Sequence, residues 1–167
     1  ISIEIPNSVI SIGSSVFQDC VRLEEVIFEE GSKIESIGMH IFQFCSSLVK
    51  IELPKSIKSV GEKAFYCCME LEEVIFEEGS KIESIEHSTF MYCKKLTNIK
   101  LPSNATSIEE SAFSDCEKLE TVTVVSNITA IGNYAFRNCR NLSSVYCPVI
   151  TPPDLGHSPF EGCDIHM

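Results

Sequence analysis

FMYCKKLTNIKLP, at Phe90–Pro102, holds one full turn of a pattern: Phe-x-x-Cys-x-x-Leu-x-x-Ile-x-Leu, closed by proline. Its opening Phe-x-x-Cys recurs as FQDC (Phe17–Cys20), FQFC (Phe42–Cys45), FYCC (Phe65–Cys68), FSDC (Phe113–Cys116), FRNC (Phe136–Cys139) and FEGC (Phe160–Cys163). Successive cysteines of the series stand 25, 23, 25, 23, 23 and 24 residues apart. A fixed period of that size marks stacked repeats, in which each unit contacts only its neighbours.

Within a unit, Ile99 and Leu101 stand two apart, the spacing of a strand with one buried face. Pro6, Pro54, Pro102 and Pro148 follow such anchors and end the pairing, since proline has no N–H to give. The Ala-Phe segments at Ala64, Ala112 and Ala135 read as a short helical or 3-10 turn on the opposite wall. One unit buries about six apolar side chains at roughly 1.5–3 kcal/mol each. Ordering its residues costs more than that, so no unit folds alone. The period and spacing give an α/β leucine-rich-repeat solenoid. Its parallel β-sheet lines the concave face, with short helical or 3-10 turns and extended segments on the convex side. Residues 1–167 form one array of about seven coils of 23–25 residues, patterned from the first residue and so expected to be a fragment of a longer protein.

The turn after the strand comes in two lengths. Short versions read LPKSI (Leu53–Ile57) and LPSNA (Leu101–Ala105); the long version FEEGSKI occurs at Phe28–Ile34 and Phe76–Ile82. The long turns lie inside a perfect duplication: LEEVIFEEGSKIESI appears at Leu23–Ile37 and again at Leu71–Ile85, 48 residues later. The identity records a duplicated two-coil unit. Leu23, Val26, Phe28, Ile34 and Ile37 are its core anchors, which leaves Glu25, Ile27 and Glu29, with Glu73, Ile75 and Glu77, to meet a partner.

Composition narrows the function. The chain carries 24 acidic and 13 basic residues, a formal net charge of −11, which repels phosphate backbones and excludes nucleic acid as a natural partner. No apolar run approaches the roughly 20 residues of a membrane-spanning helix, so no direct membrane insertion is expected within this segment.

The motifs A-F-x-x-C-x-x-L (Ala112–Leu119, Ala135–Leu142), I-x-L-P (Ile51–Pro54, Ile99–Pro102) and I-x-x-I-G (Val9–Gly13, Ile34–Gly38, Ile128–Gly132) resemble the BspA-like, Treponema-type leucine-rich-repeat proteins of bacterial and protist surfaces. The likeness extends over the whole chain, and Thr151–Cys163 is similar to the closing repeat of that family. It departs at His166, which holds the final leucine position. The resemblance implies a surface antigen or adhesin, extracellular in its parent protein, binding host matrix or cell-surface components. It brings no catalytic motif.

Nine cysteines invite a disulfide framework. Seven of them share one repeat position and so form an internal column of small buried side chains; Cys67 and Cys147 lie outside it. Cys147, His157, Cys163 and His166 gather near the C-terminus as a zinc candidate, but their spacing is loose and the closing repeat already accounts for them. His40 and His87 occupy different places relative to their phenylalanines. No phosphate loop, nucleophile elbow or zincin motif occurs. The expectation is a protein that is not an enzyme and uses neither cofactor nor metal. Three sequons, at Asn104, Asn127 and Asn141, are candidate N-glycosylation sites and favour a secretory route.

Solenoids bind through the outer face of their sheet. Strand alternation places Glu25, Lys50, Glu73, Asn98, Thr121 and Ser144 in one exposed column and Ile27, Glu52, Ile75, Lys100, Thr123 and Tyr146 in the next. The first is a ladder of alternating sign at Glu25–Lys50–Glu73; the second exposes two isoleucines. The candidate binding surface is therefore Glu25, Ile27, Lys50, Glu52, Glu73, Ile75, Asn98, Lys100, Thr123 and Tyr146. The function expected is non-catalytic adhesion to a protein, or a glycan, across this face. The alternatives are a structural stalk without its own ligand site and an intracellular interaction scaffold. Exposed solenoid ends also allow end-to-end self-association.

Overall fold

The computed structural model describes residues 1–124, 128–146 and 151–164. Fourteen short strands alternate along them: β1 (Ser2–Ile5), β2 (Ser11–Ile12), β3 (Glu25–Phe28), β4 (Ser36–Ile37), β5 (Lys50–Leu53), β6 (Ser59–Val60), β7 (Glu73–Phe76), β8 (Ser84–Ile85), β9 (Asn98–Lys100), β10 (Ser107–Ile108), β11 (Thr121–Thr123), β12 (Ala130–Ile131), β13 (Ser144–Tyr146) and β14 (Asp154–Leu155). All pairings are parallel and join corresponding strands of successive coils. The result is a parallel solenoid of about six turns. Odd-numbered strands form the concave face, as β1-β3-β5-β7 and β9-β11-β13; even-numbered strands form a second wall, as β2-β4-β6 and β8-β10-β12-β14.

Alternation sets the faces. In β5, Ile51 and Leu53 are buried while Lys50 and Glu52 are exposed. The leucines after each Cys-x-x, such as Leu48, Leu71, Leu96, Leu119 and Leu142, are wholly enclosed. Seven phenylalanine rings, from Phe17 to Phe160, stack face to face down the interior, with centroids 5.3–5.5 Å apart and planes within 2–18° of parallel.

The convex wall corrects the expected helical or 3-10 turns, because the described residues contain no helix. Two positions in each Phe-x-x-Cys turn, the second before and the second after Phe, have positive φ: Ser88 (53°) and Tyr92 (63°) around Phe90, for example. That reversal sends alternate N–H groups out of the coil. Ser88, Phe90 and Tyr92 donate to the carbonyls of Glu110, Ala112 and Ser114 in the next coil at 3.0, 2.8 and 3.0 Å. The N–H groups of Met91 and Cys93 turn back to Ser88 and Phe90 at 3.2 and 3.1 Å. A helix would instead direct each N–H to its own i−4 carbonyl. Left-handed backbone costs a non-glycine residue roughly 1–2 kcal/mol, and here it enables bonds that no isolated coil can make.

Glycine is needed where the second wall begins. A Cβ built on Gly38, Gly61 or Gly132 would stand 2.4–2.6 Å from a backbone nitrogen of the preceding coil. Glu86 is the first residue to replace glycine at this position. There β6 and β8 share no ladder, whereas β2-β4-β6 is continuous. This marks a seam between the third and fourth coils; loss of glycine does not by itself cause it, because Glu109 holds the same position and the β8-β10-β12 ladder runs through it. The concave sheet breaks one coil later, between β7 and β9. The hydroxyls of Ser56 and Ser80, on the turns either side of this seam, are buried without a partner.

Phe90 is stacked on both sides and 1% exposed. Phe90→Ala should lower stability by about 3–5 kcal/mol in urea unfolding. Far-UV circular dichroism of the native protein should lack the helical double minimum. A loss well below that range, or a helical spectrum, would contradict the stacked, helix-free wall.

Candidate functional site

The structure carries both concave columns as far as its sheets run. Glu25 pairs in register with Lys50 and Lys50 with Glu73, while Asn98, Thr121 and Ser144 align in the second sheet. Glu52 aligns with Ile75, and Lys100 aligns with Thr123 and then Tyr146. β1 extends the columns with Ser2 and Glu4. The break between β7 and β9 separates the ten candidates into two groups, Glu25 to Ile75 and Asn98 to Tyr146.

Half of the charge ladder is a formed ion pair. Lys50 Nζ lies 2.8 Å from a Glu73 carboxylate oxygen, and this hydrogen bond raises the Lys50 pKa above its ordinary value. Both groups are about half exposed, so the pair contributes little to stability. Thr121 Oγ1 donates to Asn98 Oδ1 across the next coils. Ile27 is 42% exposed and Tyr146 65%, while Ile75 is half-buried.

The long turns add features that strand alternation alone did not reveal. Glu29 and Glu77 are already engaged in the fold, which corrects their expected freedom to meet a partner. A Glu29 carboxylate oxygen accepts the Asn7 N–H at 2.9 Å, and Glu77 accepts the Lys55 N–H at 3.0 Å. Each thereby caps the residue after proline in the preceding coil. The same turns leave Phe28 and Phe76 half-buried, although Leu53 and Leu101 in the short-turn coils are enclosed.

Beside each long turn lies a groove. The first, about 770 Å³, is bounded by Glu25, Ile27, Phe28 and Glu30 on one side and by Glu52, Pro54 and Lys55 on the other. The second, about 600 Å³, repeats Glu73, Ile75, Phe76 and Glu78, now facing Asn98, Lys100 and Pro102. The duplicated segment thus supplies an identical near wall to two grooves with different far walls. The two-residue lengthening of the turn was its signal in the sequence.

The cysteine column has a role more specific than filling space. From Cys45 onward, each column thiol donates to the carbonyl of the phenylalanine in the preceding coil: Cys45 to Phe17 at 3.0 Å, Cys68 to Phe42 at 3.1 Å, Cys93 to Phe65 at 3.2 Å, and so on to Cys163 and Phe136 at 2.9 Å. All eight described cysteines are free. Desolvation first, and then the neighbouring thiol, raises Cys45, Cys68 and Cys93 out of the reactive range, taking Cys45 up to about 12. Cys67, outside the column, is also buried and raised by desolvation.

Of the zinc candidates, Cys147 and His166 lie outside the described residues, Cys163 serves Phe136, and the His157 ring packs edge-on against Tyr134 at 5.3 Å. His40 Nδ1 contacts Gln43 Oε1 at 2.9 Å, and His87 Nε2 contacts Ser88 Oγ at 3.2 Å. Among the described residues, no three metal-ligating side chains converge. Asn104 and Asn141 are exposed; Asn127 lies outside the described residues. No described helix is long and apolar enough to cross a membrane.

With repeat, turn and column in place, the class is clear: a leucine-rich-repeat solenoid built on Phe-x-x-Cys turns. The chain belongs to the BspA-type leucine-rich-repeat family, whose model matches residues 1–81 and 77–167. Its fold is similar to the Treponema pallidum leucine-rich-repeat protein, with 27% identity and a TM-score of 0.90 over 98% of this chain and 76% of that one. It is also similar to a leucine-rich cell surface protein of Faecalibacterium prausnitzii, at 34% identity and a TM-score of 0.76 over 86% of this chain and 38% of that one. A Eubacterium ventriosum leucine-rich-repeat protein shares the fold alone, at 20% identity and a TM-score of 0.66; this chain spans 59% of it. No curated protein sequence matches the chain.

Cys45→Ala removes a thiol donor and a buried volume, and should cost about 1–3 kcal/mol near neutral pH. The raised pKa gives this contribution a pH window. It is complete below the unfolded thiol pKa of about 8.5 and is lost as pH rises toward the folded value of about 12. The difference in urea stability between wild type and Cys45→Ala should therefore narrow above pH ~8.5. A constant difference up to pH ~10 would refute a buried neutral thiol at this position.

Proposed function

We propose that this protein is a non-catalytic binding module that holds a protein partner on its concave face, in a cell-surface or secreted setting. The observation that carries this reading is the outward presentation of Ile27, Ile75 and Tyr146. Each of these side chains stands on a sheet face that the fold does not itself cover. Glu25, Lys50, Glu52, Glu73, Asn98, Lys100 and Thr123 form the polar surround. A polar rim around apolar anchors is the usual anatomy of a protein contact.

The surface setting draws support from the family and from the relative named as a cell surface protein. The same anchors favour adhesion over a bare stalk. A stalk needs only strand propensity and solubility on this face, and threonine serves both, as it does at Thr121 and Thr123.

Replacing Ile27, Ile75 and Tyr146 together with aspartate tests the reading. All three lie outside the enclosed core, so the circular dichroism spectrum and melting temperature should hold while partner capture falls by a factor of ten or more, about 1.4 kcal/mol. Binding to source cells or matrix that survives the triple substitution would remove the concave face from the function.

A further inference from the structure

The long turns divide the concave sheet in a regular way. Where a short-turn coil precedes a long-turn coil, the ladder is complete: β1 pairs with β3 as far as Ile5 and Phe28, and β5 with β7 as far as Leu53 and Phe76. The N–H groups of Glu29 and Glu77 carry it one residue further, to the carbonyls of Ile5 and Leu53 at 3.0 and 3.1 Å. Where the order is reversed, the strands part. β3 and β5 pair only at Glu25–Lys50 and Val26–Ile51, and β7 and β9 share no ladder. The two grooves open in these partings.

Their near walls are identical, but their charge is not. Five carboxylates border the first groove: Glu25, Glu29, Glu30, Glu52 and Glu77. Two ammoniums face them, and Lys50 is held by Glu73 of the coil beyond, which leaves Lys55. At the second groove Glu73 is engaged by that same Lys50, so Glu77 and Glu78 stand against Lys100. Glu52 and Lys100 are the third residues of β5 and β9. A single position therefore accounts for most of the contrast.

The excess of acid in the first groove calls for a cation. Among the described residues no three acids converge as a metal ion requires, so the cation must span the groove. A guanidinium is planar, carries five N–H donors and is weakly hydrated, so it can serve carboxylates on two walls while lying against apolar surface. Ile27, 42% exposed, and half-buried Phe28 supply that surface in the same groove. A lysine ammonium is a compact, strongly hydrated point charge and gains less from such a seat. We propose that the first groove takes an arginine side chain of the protein partner. Its stem rests on Ile27 and Phe28, and its guanidinium lies between the carboxylates of Glu30 and Glu52. The second groove, with Lys100 in its far wall, does not take it. Arginine is among the residues that most often dominate a protein interface.

This inference rests on the concave-face reading and deepens it to one side chain. The probes are N-acetyl-arginine amide, its citrulline analogue, which keeps the plane and loses the charge, and N-acetyl-lysine amide. In an amide NMR titration of the intact protein, the arginine compound should give saturable shifts at Ile27, Phe28, Glu30 and Glu52, and far smaller ones at Ile75, Phe76 and Glu78. The citrulline compound should bind about tenfold more weakly, as loss of a charge-assisted hydrogen bond requires, and the lysine compound should also bind more weakly than arginine. Glu52→Lys, an exposed change that copies the second groove, should abolish the response. Lys100→Glu should create it at Ile75, Phe76 and Glu78. Equal binding of arginine and lysine would reduce the effect to general charge attraction and overturn the inference. A response that persists in Glu52→Lys, or fails to arise in Lys100→Glu, would do the same. Failure of the arginine compound to bind also overturns it; if the triple aspartate variant still loses its partner, the concave-face reading stands.

Discussion

Every coil of this solenoid must hand part of its backbone hydrogen bonding to the next. On the convex wall the N–H groups at Phe and at the second residue to either side cross to a neighbouring coil, and only those between turn back. A buried N–H without a partner is costly, so each coil is incomplete until another stacks on it. The positive-φ residues, the enclosed phenylalanines and the thiols all serve this exchange. Left-handed backbone aims the N–H groups outward. Stacked rings fix the distance at which they are received, and each thiol occupies the second lone pair of a phenylalanine carbonyl that already accepts a bond from its own coil.

The same constraint explains what the repeat tolerates. Two extra residues in FEEGSKI fall between anchors, where the chain runs over the surface, and the Phe-to-Phe stack continues past them at 5.3–5.5 Å. The wall ladder is interrupted at Glu86, yet it runs unbroken past Glu109, which replaces glycine at the same position. The core continues through the seam because the phenylalanine and leucine columns are longer in reach than the hydrogen bonds beside them.

The concave face escapes these demands. Its outward side chains neither fill the core nor complete the ladder, so the fold does not dictate their identities. The glutamates at Glu29 and Glu77 show the boundary of that freedom: one residue beyond the strand, a carboxylate is drawn back to cap a neighbouring turn. Exposed cross-coil pairs such as Lys50–Glu73 and Lys58–Glu35 add little energy, but they oppose misregistered stacking by placing like charges together when a coil slips.

The sequence by itself determined the solenoid, its period, its core columns and the alternation that exposes Ile27 and Tyr146. Those features depend on which residues are apolar and how far apart they stand, and both are read directly from the chain. Local propensity in Ala64-Phe65 and its counterparts allows a helical turn. Only the tertiary structure decided otherwise, since the reward for left-handed backbone is a hydrogen bond to a residue some 23 positions away. The thiol donors were hidden for the same reason: Cys93 reveals its acceptor only once Phe65 lies beneath it. Glu29 and Glu77 looked free because their partners, Asn7 and Lys55, are near neighbours only in space. The sequence showed that LEEVIFEEGSKIESI was duplicated. That the duplication builds two grooves with unlike far walls followed from stacking, because each groove takes its other side from the coil that comes next.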